Sequence, residues 1–266
     1  MSDSSSRKIA VVTGASSGIG AVYADRLAGR GYDLILVARR AERLEALSAQ
    51  VSKAYGAKIE VIAADLEKGA DLAPVEKVLA INPAVHVLVN NAGSARLGPV
   101  AQASLGDVLS QIALNITALT RLTHAVLPAF LSRNDGVIIN IASVLALHSL
   151  PVSSVYSGTK GFVLNFSRGL QDEVAETKVK VQVVLPASTA TEIWNESTLP
   201  LSALPPETVM SAENMVDAAL AGFDRGETIT LPSVADPSLW DKYDTARSTL
   251  FAATQTGRPA PRYKVA

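Results

Sequence analysis

The chain has 266 residues, of which 48% are apolar and 18% are charged, a globular composition that excludes disordered, collagen-like and coiled-coil proteins. A formal net charge of −1 provides no overall field for nucleic acid or anionic lipid. The sequence contains no cysteine and only three scattered histidines, so we expect no disulfide, no cysteine nucleophile and no metal site.

The N-terminal residues 1–6 are rich in serine and we expect them to be flexible. They do not have the pattern of a signal peptide. No apolar run approaches the roughly 18 residues that span a bilayer, so we expect a cytoplasmic protein without a membrane partner.

Short apolar runs alternate with helix-length segments between residues 7 and 232. Continuous runs of Val, Ile and Leu indicate strands that are covered on both faces, and their alternation with helices is typical of a parallel sheet. The predicted strands are Ile9–Thr13, Leu34–Ala38, Ile59–Ala63, Val85–Asn90, Val137–Ala142, Val179–Leu185 and Ile229–Leu231. The predicted helices are Ile19–Arg30, Ala41–Tyr55, Val75–Ile81, Leu105–Ser132, Tyr156–Thr177 and Ala212–Gly222. The sequence therefore predicts one α/β domain, doubly wound, over residues 7–232.

Two regions do not follow this alternation. The segment 191–210 contains three prolines, and a loop of this length in a compact fold indicates a lid or a substrate-binding loop. Residues 233–266 form a C-terminal extension in which a helix is predicted around Pro237–Ala253. Its apolar residues recur at helical spacing, so we expect this extension to pack on the domain or on a partner subunit.

A glycine-rich turn, Thr13-Gly14-Ala15-Ser16-Ser17-Gly18-Ile19-Gly20, joins the first strand to the first helix. Glycines allow the backbone to approach a pyrophosphate, and the helix N-terminus offers unpaired N–H groups. A ligand-free Gly/Ser loop is the alternative, which the position between strand and helix disfavours. The sequence Asn90-Asn91-Ala92-Gly93 ends the fourth strand, at the sheet edge where ligands of such folds bind.

A second group of polar residues indicates acid–base chemistry. Tyr156 and Lys160 are four residues apart, which places them on one face of a helix, where an ammonium group favours the phenolate. Ser143 follows the fifth strand and can hydrogen-bond a substrate oxygen. Asn115 lies among apolar residues of a predicted helix and needs polar partners there. Each of these residues, taken alone, is equally well explained by a structural role.

Taken together, TGASSGIG, NNAG, Asn115, Ser143 and Y-S-G-T-K resemble the short-chain dehydrogenase/reductase family in order and approximate spacing. The resemblance implies a Rossmann fold with a seven-stranded parallel sheet of order 3-2-1-4-5-6-7. It implies that Tyr156 is the acid–base residue and that Lys160 lowers its pKa and holds the nicotinamide ribose. Ser143 would position the substrate carbonyl, and Asn115 would hold a water of the proton relay.

The same resemblance implies the cofactor contacts. They are Gly14, Ser16, Ser17, Gly18, Ile19 and Gly20 at the pyrophosphate, Asp65 and Leu66 at the adenine, Asn91, Ala92 and Gly93 in the central channel, and Pro186, Thr189 and Thr191 near the carboxamide, with Tyr156 and Lys160. Substrate contacts would come from Ser143, Leu145, Tyr156, Ile193 and Trp194.

The end of the second strand predicts NADP(H) rather than NAD(H) as cofactor. NAD-specific relatives carry a carboxylate at the position of Ala38, and here Arg39 and Arg40 follow instead. A guanidinium suits the 2′-phosphate of NADP(H). The alternative for Arg39 and Arg40 is that they only open an exposed helix, which the following Ala41-Glu42-Arg43 indicates.

The predicted function is therefore an NADP(H)-dependent oxidoreductase that interconverts a carbonyl and a secondary alcohol. The substrate is expected to be an apolar carbonyl or alcohol of the small-molecule class, and the protein is expected to be a homodimer or homotetramer. Two alternatives remain open: a β-ketoacyl-thioester reductase, for which Arg96 is the candidate basic residue, and a catalytically silent dinucleotide-binding sensor or scaffold. Steroids and sugars also remain open as substrates.

Overall fold

The apolar runs predicted as strands form the central sheet of the computed structural model, which describes residues 7–197 and 200–264. The seven strands of the sheet are all parallel, in the order β3-β2-β1-β4-β5-β6-β9. They are β1 (Ile9–Thr13), β2 (Asp33–Ala38), β3 (Ile59–Ala63), β4 (Val85–Asn90), β5 (Gly136–Ile141), β6 (Val179–Val184) and β9 (Ile229–Thr230). The predicted Rossmann-like α/β fold is confirmed, and each predicted strand end lies within one residue of the observed one.

Helices cover both faces of the sheet. They are α1 (Gly18–Gly29), α2 (Ala41–Tyr55), α3 (Gly69–Ile81), α4 (Leu105–Ile112), α5 (Leu119–Arg133), α6 (Ser154–Glu173) and α7 (Ala212–Asp224). A π-helical segment, Ala113–Ala118, joins α4 to α5, so the single long helix predicted here is widened at its middle. Helix α3 begins six residues before the predicted start at Val75, because burial of Leu72 and Val75 stabilises the turn that Pro74 weakens.

Side chains of β1 alternate between the two faces of the sheet, as the period of a strand requires. Val12 packs into a core that includes Tyr23 of α1 and Val216 of α7. Val11 points to the other face, into a core that includes Leu122 and Phe130 of α5. Because both faces of the strand are covered, the sequence of β1 is a continuous apolar run rather than an alternating one.

The strand order places a crevice at the carboxyl ends of β1 and β4. β1 lies between β2 and β4, so the connections that leave these strands diverge to opposite faces of the sheet. Ligands of doubly wound sheets bind at this point. The glycine turn follows β1 and Asn91 follows β4, so both predicted ligand-binding segments border the crevice.

The segment that connects β6 to α7 is bounded by a short parallel ribbon. β7 (Thr189–Ala190) pairs with β8 (Met210–Ser211), which fixes the two ends of the predicted loop side by side. Between them, the described residues form three short 3₁₀ helices, of which the first spans Glu192–Glu196. Within the described range, no helix is long and apolar enough to cross a membrane.

Residues Ser233–Ala266 form a separate compact unit. Its helix α8 (Ser238–Ala253) confirms the predicted helix, with Trp240 and Tyr243 in ring contact at 5.3 Å. Every residue of α8 keeps some solvent exposure, and Leu250 is 69% exposed. The surface that covers its apolar face therefore stays a prediction.

Deletion of residues 233–266 tests whether that face is covered. We expect the truncated protein to lose thermal stability or to change its assembly state, because apolar side chains at helical spacing stabilise a protein only when they are buried. Differential scanning calorimetry and sedimentation of the full and truncated chains measure both properties. Identical melting temperature and mass per particle in the two samples would contradict the expectation.

Candidate active site

The glycine turn after β1 is shaped by three positions where a side chain does not fit. Gly14 and Gly18 have φ values of +66° and +53°, in the left-handed region that glycine adopts without strain. A Cβ atom on Gly20 would lie 2.3 Å from the carbonyl oxygen of Gly14. The turn therefore folds tightly back on α1, and the N-terminus of this helix faces the crevice.

Asn91 locks this turn to the end of β4. Its side-chain Nδ2 donates to the carbonyl oxygens of Thr13 and Gly14, at 2.9 and 3.3 Å. The Thr13 hydroxyl accepts the backbone N–H groups of Asn91 and Ala92, both at 3.0 Å. These bonds hold the two ligand-binding segments in one fixed arrangement.

A cavity of about 260 Å³ lies over this junction. Its walls include most of the predicted cofactor contacts, namely Gly14, Ser16, Ser17, Gly18, Ile19, Arg39, Arg40, Asp65, Leu66, Asn91, Ala92, Gly93 and Thr191. The other predicted contacts, Gly20, Tyr156, Lys160, Pro186 and Thr189, lie outside the lining. Gly20 packs on Gly14, and the buried Thr189 hydroxyl bonds the carbonyl oxygen of Ala187 at 3.1 Å. The glycine cradle, the helix N-terminus and two arginines fit a phosphorylated dinucleotide.

The two arginines after β2 differ in their contacts. Arg40 donates to the hydroxyls of Ser16 and Ser17 and forms an ion pair with Glu192. For Arg39, the described part of the chain offers no hydrogen bond or ion pair, and the side chain is exposed at the cavity wall. Arg39 is thus the more available cation of the two, and its contact with a phosphate stays a prediction.

Ser143 follows β5 and is the N-cap of a short 3₁₀ helix, Val144–Ala146. Its hydroxyl oxygen accepts the backbone N–H of Leu145 at 3.1 Å, which fixes the orientation of the side chain. Burial raises the pKa of the Tyr156 phenol, and the neighbouring Ser143 hydroxyl offsets part of that rise. The structure therefore brings these two predicted catalytic groups together.

Tyr156 and Lys160 lie in the first two turns of α6. Burial is the largest influence on both groups: it raises the pKa of Tyr156 to about 12 and lowers the pKa of Lys160 to about 8. The Lys160 ammonium donates to the carbonyl oxygen of Ile141 at 2.8 Å and lies 5.7 Å from the centre of the Tyr156 ring. Tyr156 is therefore a neutral hydrogen-bond donor across the neutral pH range.

Asn115 lies in the π-helical segment and is almost fully buried. Its Oδ1 accepts the N–H of Ser94, and its Nδ2 donates to the carbonyl of Ser94 and to the hydroxyl of Thr159. A Cβ atom on Gly93 would lie 3.1 Å from Asn115 Oδ1 and 3.6 Å from Lys160 Nζ. Gly93 also lines the cavity, so it connects the cofactor cleft to the acid–base residues.

The three apolar residues predicted to contact substrate lie in different surroundings. Ile193 lines the cavity. Leu145 is partly buried, directly after Ser143. Trp194 donates its indole N–H to the carbonyl oxygen of Thr189 at 2.8 Å, which connects the ring to the base of the loop.

Two residues of the site, Thr159 and Glu192, were not identified from the sequence. Thr159 bridges Asn115 to the carbonyl oxygen of Tyr156, which its hydroxyl reaches at 2.8 Å. Its place directly before Lys160 in the Y-S-G-T-K run was the available signal. Glu192 pairs with Arg40 and Arg43, which are more than a hundred residues away, so no local pattern could have shown it.

Comparison with known proteins places this architecture among enzymes. A family model described as short chain dehydrogenase matches residues 8–200. A very-long-chain 3-oxoacyl-CoA reductase (form B) from Danio rerio is 38% identical over 198 residues, 73% of this chain and 63% of that protein. The chain thus spans a little under two thirds of that relative's length.

Two solved structures match over nearly the whole chain. A short-chain dehydrogenase from Sphingobium yanoikuyae, in complex with NADPH, is 44% identical with a TM-score of 0.93, and the match covers 96% of this chain and 100% of that one. A bulky-bulky ketone specific alcohol dehydrogenase from Comamonas testosteroni is 39% identical with a TM-score of 0.88, over 96% and 98% of the two chains.

The burial of Lys160 predicts a pH-dependent cost in stability. Its pKa is 10.5 in the unfolded chain and about 8 in the folded protein, so between these values the unfolded state binds more protons and stability rises with pH. Below about pH 8 the full cost is present, of the order of 3 kcal/mol. Lys160→Met removes that cost and loses one hydrogen bond worth about 1 kcal/mol, so we expect the variant to be more stable at pH 7 by about 2 kcal/mol.

Urea unfolding at intervals between pH 7 and pH 10 measures this difference. The advantage of the variant should shrink as pH rises through the window. Exposed Lys53→Met is the control, and its difference from the wild type should stay constant. An advantage for Lys160→Met that does not change with pH would show that the ammonium is not the cause.

Proposed function

This chain belongs to the short chain dehydrogenase family, and we propose that it is an NADP(H)-dependent oxidoreductase that interconverts a carbonyl group and a secondary alcohol. The observation that carries the proposal is the meeting of Ser143, Tyr156 and Lys160 at the end of the cofactor cleft. A silent binding module would need none of these groups in this arrangement, which disfavours the scaffold alternative.

The cleft supports NADP(H) as the cofactor. Arg39 and Arg40 line the cavity at the end of β2, next to Ala38, which has no carboxylate of its own to repel a 2′-phosphate. The related structure from Sphingobium yanoikuyae is a complex with NADPH. When bound, the cofactor supplies the hydride that reduces the carbonyl carbon.

The side chains of this protein supply the proton. The Tyr156 phenol, held in its neutral form by burial, donates its proton to the substrate oxygen as negative charge develops there. The Ser143 hydroxyl, oriented by the N–H of Leu145, hydrogen-bonds the same oxygen. The nearby Lys160 charge favours the phenolate that remains after transfer.

A relay returns the proton to Tyr156 in this proposal. Lys160 has three N–H donors, of which one contacts the carbonyl oxygen of Ile141. Asn115 and Gly93 lie beside the ammonium and can hold a water against it. The Thr159 hydroxyl bonds both Asn115 and the backbone carbonyl of Tyr156. These bonds keep the proton relay and the catalytic tyrosine in a fixed position relative to each other.

We propose an apolar and bulky carbonyl compound as the substrate. Ile193 lines the cavity, while Val144 and Leu147 pack on the apolar cluster beside Ser143. A related alcohol dehydrogenase is specific for bulky-bulky ketones. Tight and selective use of small charged keto acids in a competition assay would contradict this assignment.

A 3-oxoacyl thioester is the second candidate substrate, because a related enzyme is a very-long-chain 3-oxoacyl-CoA reductase. The anionic carrier of such a substrate requires cations near the mouth of the site. Arg96, the basic residue considered for this role, forms an ion pair with Asp107, which compensates its charge. The structure therefore offers more support for an uncharged ketone.

The proposal also includes the oligomeric state of the protein and its location in the cell. Leu105 and Leu109 of α4 and Phe162 of α6 are exposed apolar residues, which supports a homodimer or homotetramer through these helices. The molecular mass in solution tests it. A cytoplasmic location rests on the sequence expectation alone, and cell fractionation tests it.

Tyr156→Phe tests the assigned acid. The phenyl ring keeps the shape of the site but cannot donate a proton, so we expect turnover to fall by roughly 10²- to 10⁴-fold. Affinity for NADPH should stay within a few-fold, as measured by fluorescence titration. A variant that keeps more than a tenth of the native rate would show that another group protonates the substrate.

The ratio of kcat/KM for NADPH and NADH tests the cofactor. One charge-assisted contact to a phosphate is worth about 1.5–3 kcal/mol, or roughly 10- to 150-fold in favour of NADPH. Arg39→Ala should weaken the use of NADPH and leave NADH almost unchanged. Equal or better use of NADH by the wild type would refute the assignment.

A further inference from the structure

We propose that Glu192 competes with the 2′-phosphate of NADP(H) for Arg40, and that this competition sets how strongly the protein distinguishes NADPH from NADH. The inference rests on the proposed use of NADP(H) and assigns a role to a residue of the loop rather than of the cofactor-binding turn. Glu192, Arg39 and Arg40 all line the same cavity.

The Glu192 carboxylate bridges two guanidinium groups. Its Oε2 lies 2.6 Å from Nη1 of Arg40, and its Oε1 lies 2.6 Å from Nη1 of Arg43. Carboxylate and phosphate oxygens match the arginine fork in the same way. The carboxylate thus holds the position at Arg40 that a phosphate oxygen would take, and its two hydrogen bonds to arginine lower its pKa to about 2.

The Nη2 and Nε donors of Arg40 are also engaged. Nη2 donates to the hydroxyls of Ser16 and Ser17, both at 2.9 Å, and Nε donates to Ser16 at 3.2 Å. These bonds orient the guanidinium group towards the glycine turn. A phosphate would therefore bind Arg40 at Nη1, the nitrogen that Glu192 contacts. Arg39 needs no such exchange, because it is exposed at the cavity wall.

Displacement of Glu192 from Arg40 would also loosen the attachment of the loop that begins at Thr191. Glu192 directly follows Thr191, whose methyl group would lie 2.9 Å from a Cβ atom on Gly18, and it begins the 3₁₀ helix that carries Trp194. A phosphate that takes Arg40 therefore releases an anchor of the loop beside the substrate. NADH has no 2′-phosphate, so it leaves the anchor in place.

Glu192→Gln tests the competition, because it removes the competing charge and keeps the shape. Glu192 is 43% exposed, so its pair is weakened by solvent, and we expect Kd for NADPH to fall about three- to tenfold. Kd for NADH should stay within about twofold. The matched control is Glu207→Gln, which removes the same charge from the same loop and, within the residues described, has no bond to Arg40 or Arg43. It should change neither value.

A second measurement follows the loop itself. The chain has two tryptophans, so Trp240→Phe leaves Trp194 as the reporter. We expect adenosine 2′,5′-bisphosphate to increase acrylamide quenching of Trp194, and adenosine 5′-monophosphate to have no effect. With Glu192→Gln in addition, quenching should be high without any nucleotide.

The outcomes separate this inference from the proposed function. If the wild type binds NADPH and Glu192→Gln changes neither cofactor, or weakens both equally, Glu192 is a structural contact and the competition is refuted. If the two nucleotides quench Trp194 equally, the release of the loop is refuted. A wild-type protein that binds neither NADPH nor NADH refutes the proposed function, and the inference with it.

Discussion

The burial of Lys160 is the constraint on which the rest of the site depends. An ammonium group beneath the end of the sheet is costly unless polar atoms surround it. The carbonyl oxygen of Ile141 accepts one of its protons, and the π-helical segment brings Asn115 close to the others. The absence of a side chain at Gly93 leaves the space in which these groups meet. The protein retains this costly arrangement because it places a positive charge beside Tyr156, where proton transfer needs it.

The catalytic and cofactor-binding regions share one rigid junction. Asn91 ties the end of β4 to the glycine turn. Shortly after it, Gly93 lies beside Lys160 and Ser94 hydrogen-bonds Asn115. A movement of the glycine turn would therefore be transmitted to Tyr156 and Lys160 through only a few contacts. The loop that begins at Thr191 is attached differently, through exposed ion pairs of Glu192, which water and salt weaken. One cleft thus combines a firmly hydrogen-bonded junction beside the acid–base residues with a weaker, exposed ion-pair contact at the loop.

Much of this could be predicted from the sequence, because the relevant signals are local. Continuous apolar runs gave every strand of the main sheet to within one residue, and the glycine turn and the Tyr156–Lys160 spacing located the two halves of the site. Helix α3 was predicted too short, because Pro74 indicates a helix start, whereas burial of Leu72 extends the helix in the folded protein. The interruption between α4 and α5 was missed, since the π-helical turn depends on the bonds of Asn115 to Ser94 and Thr159 rather than on composition. Ion pairs such as that of Arg40 with Glu192 join residues that are far apart in the sequence. They depend on how the loop lies on the domain, which the spacing of residues does not predict.

The central claim is that the substrate oxygen is held between the hydroxyl groups of Ser143 and Tyr156. A crystal structure of the protein with oxidised cofactor and an unreactive analogue of a bulky ketone tests it most directly. The account predicts that the oxygen of the analogue lies within about 3 Å of both hydroxyl oxygens, the range of a hydrogen bond between oxygens. An analogue bound in the cleft with its oxygen on other groups, while both hydroxyls keep their present partners, would contradict the account.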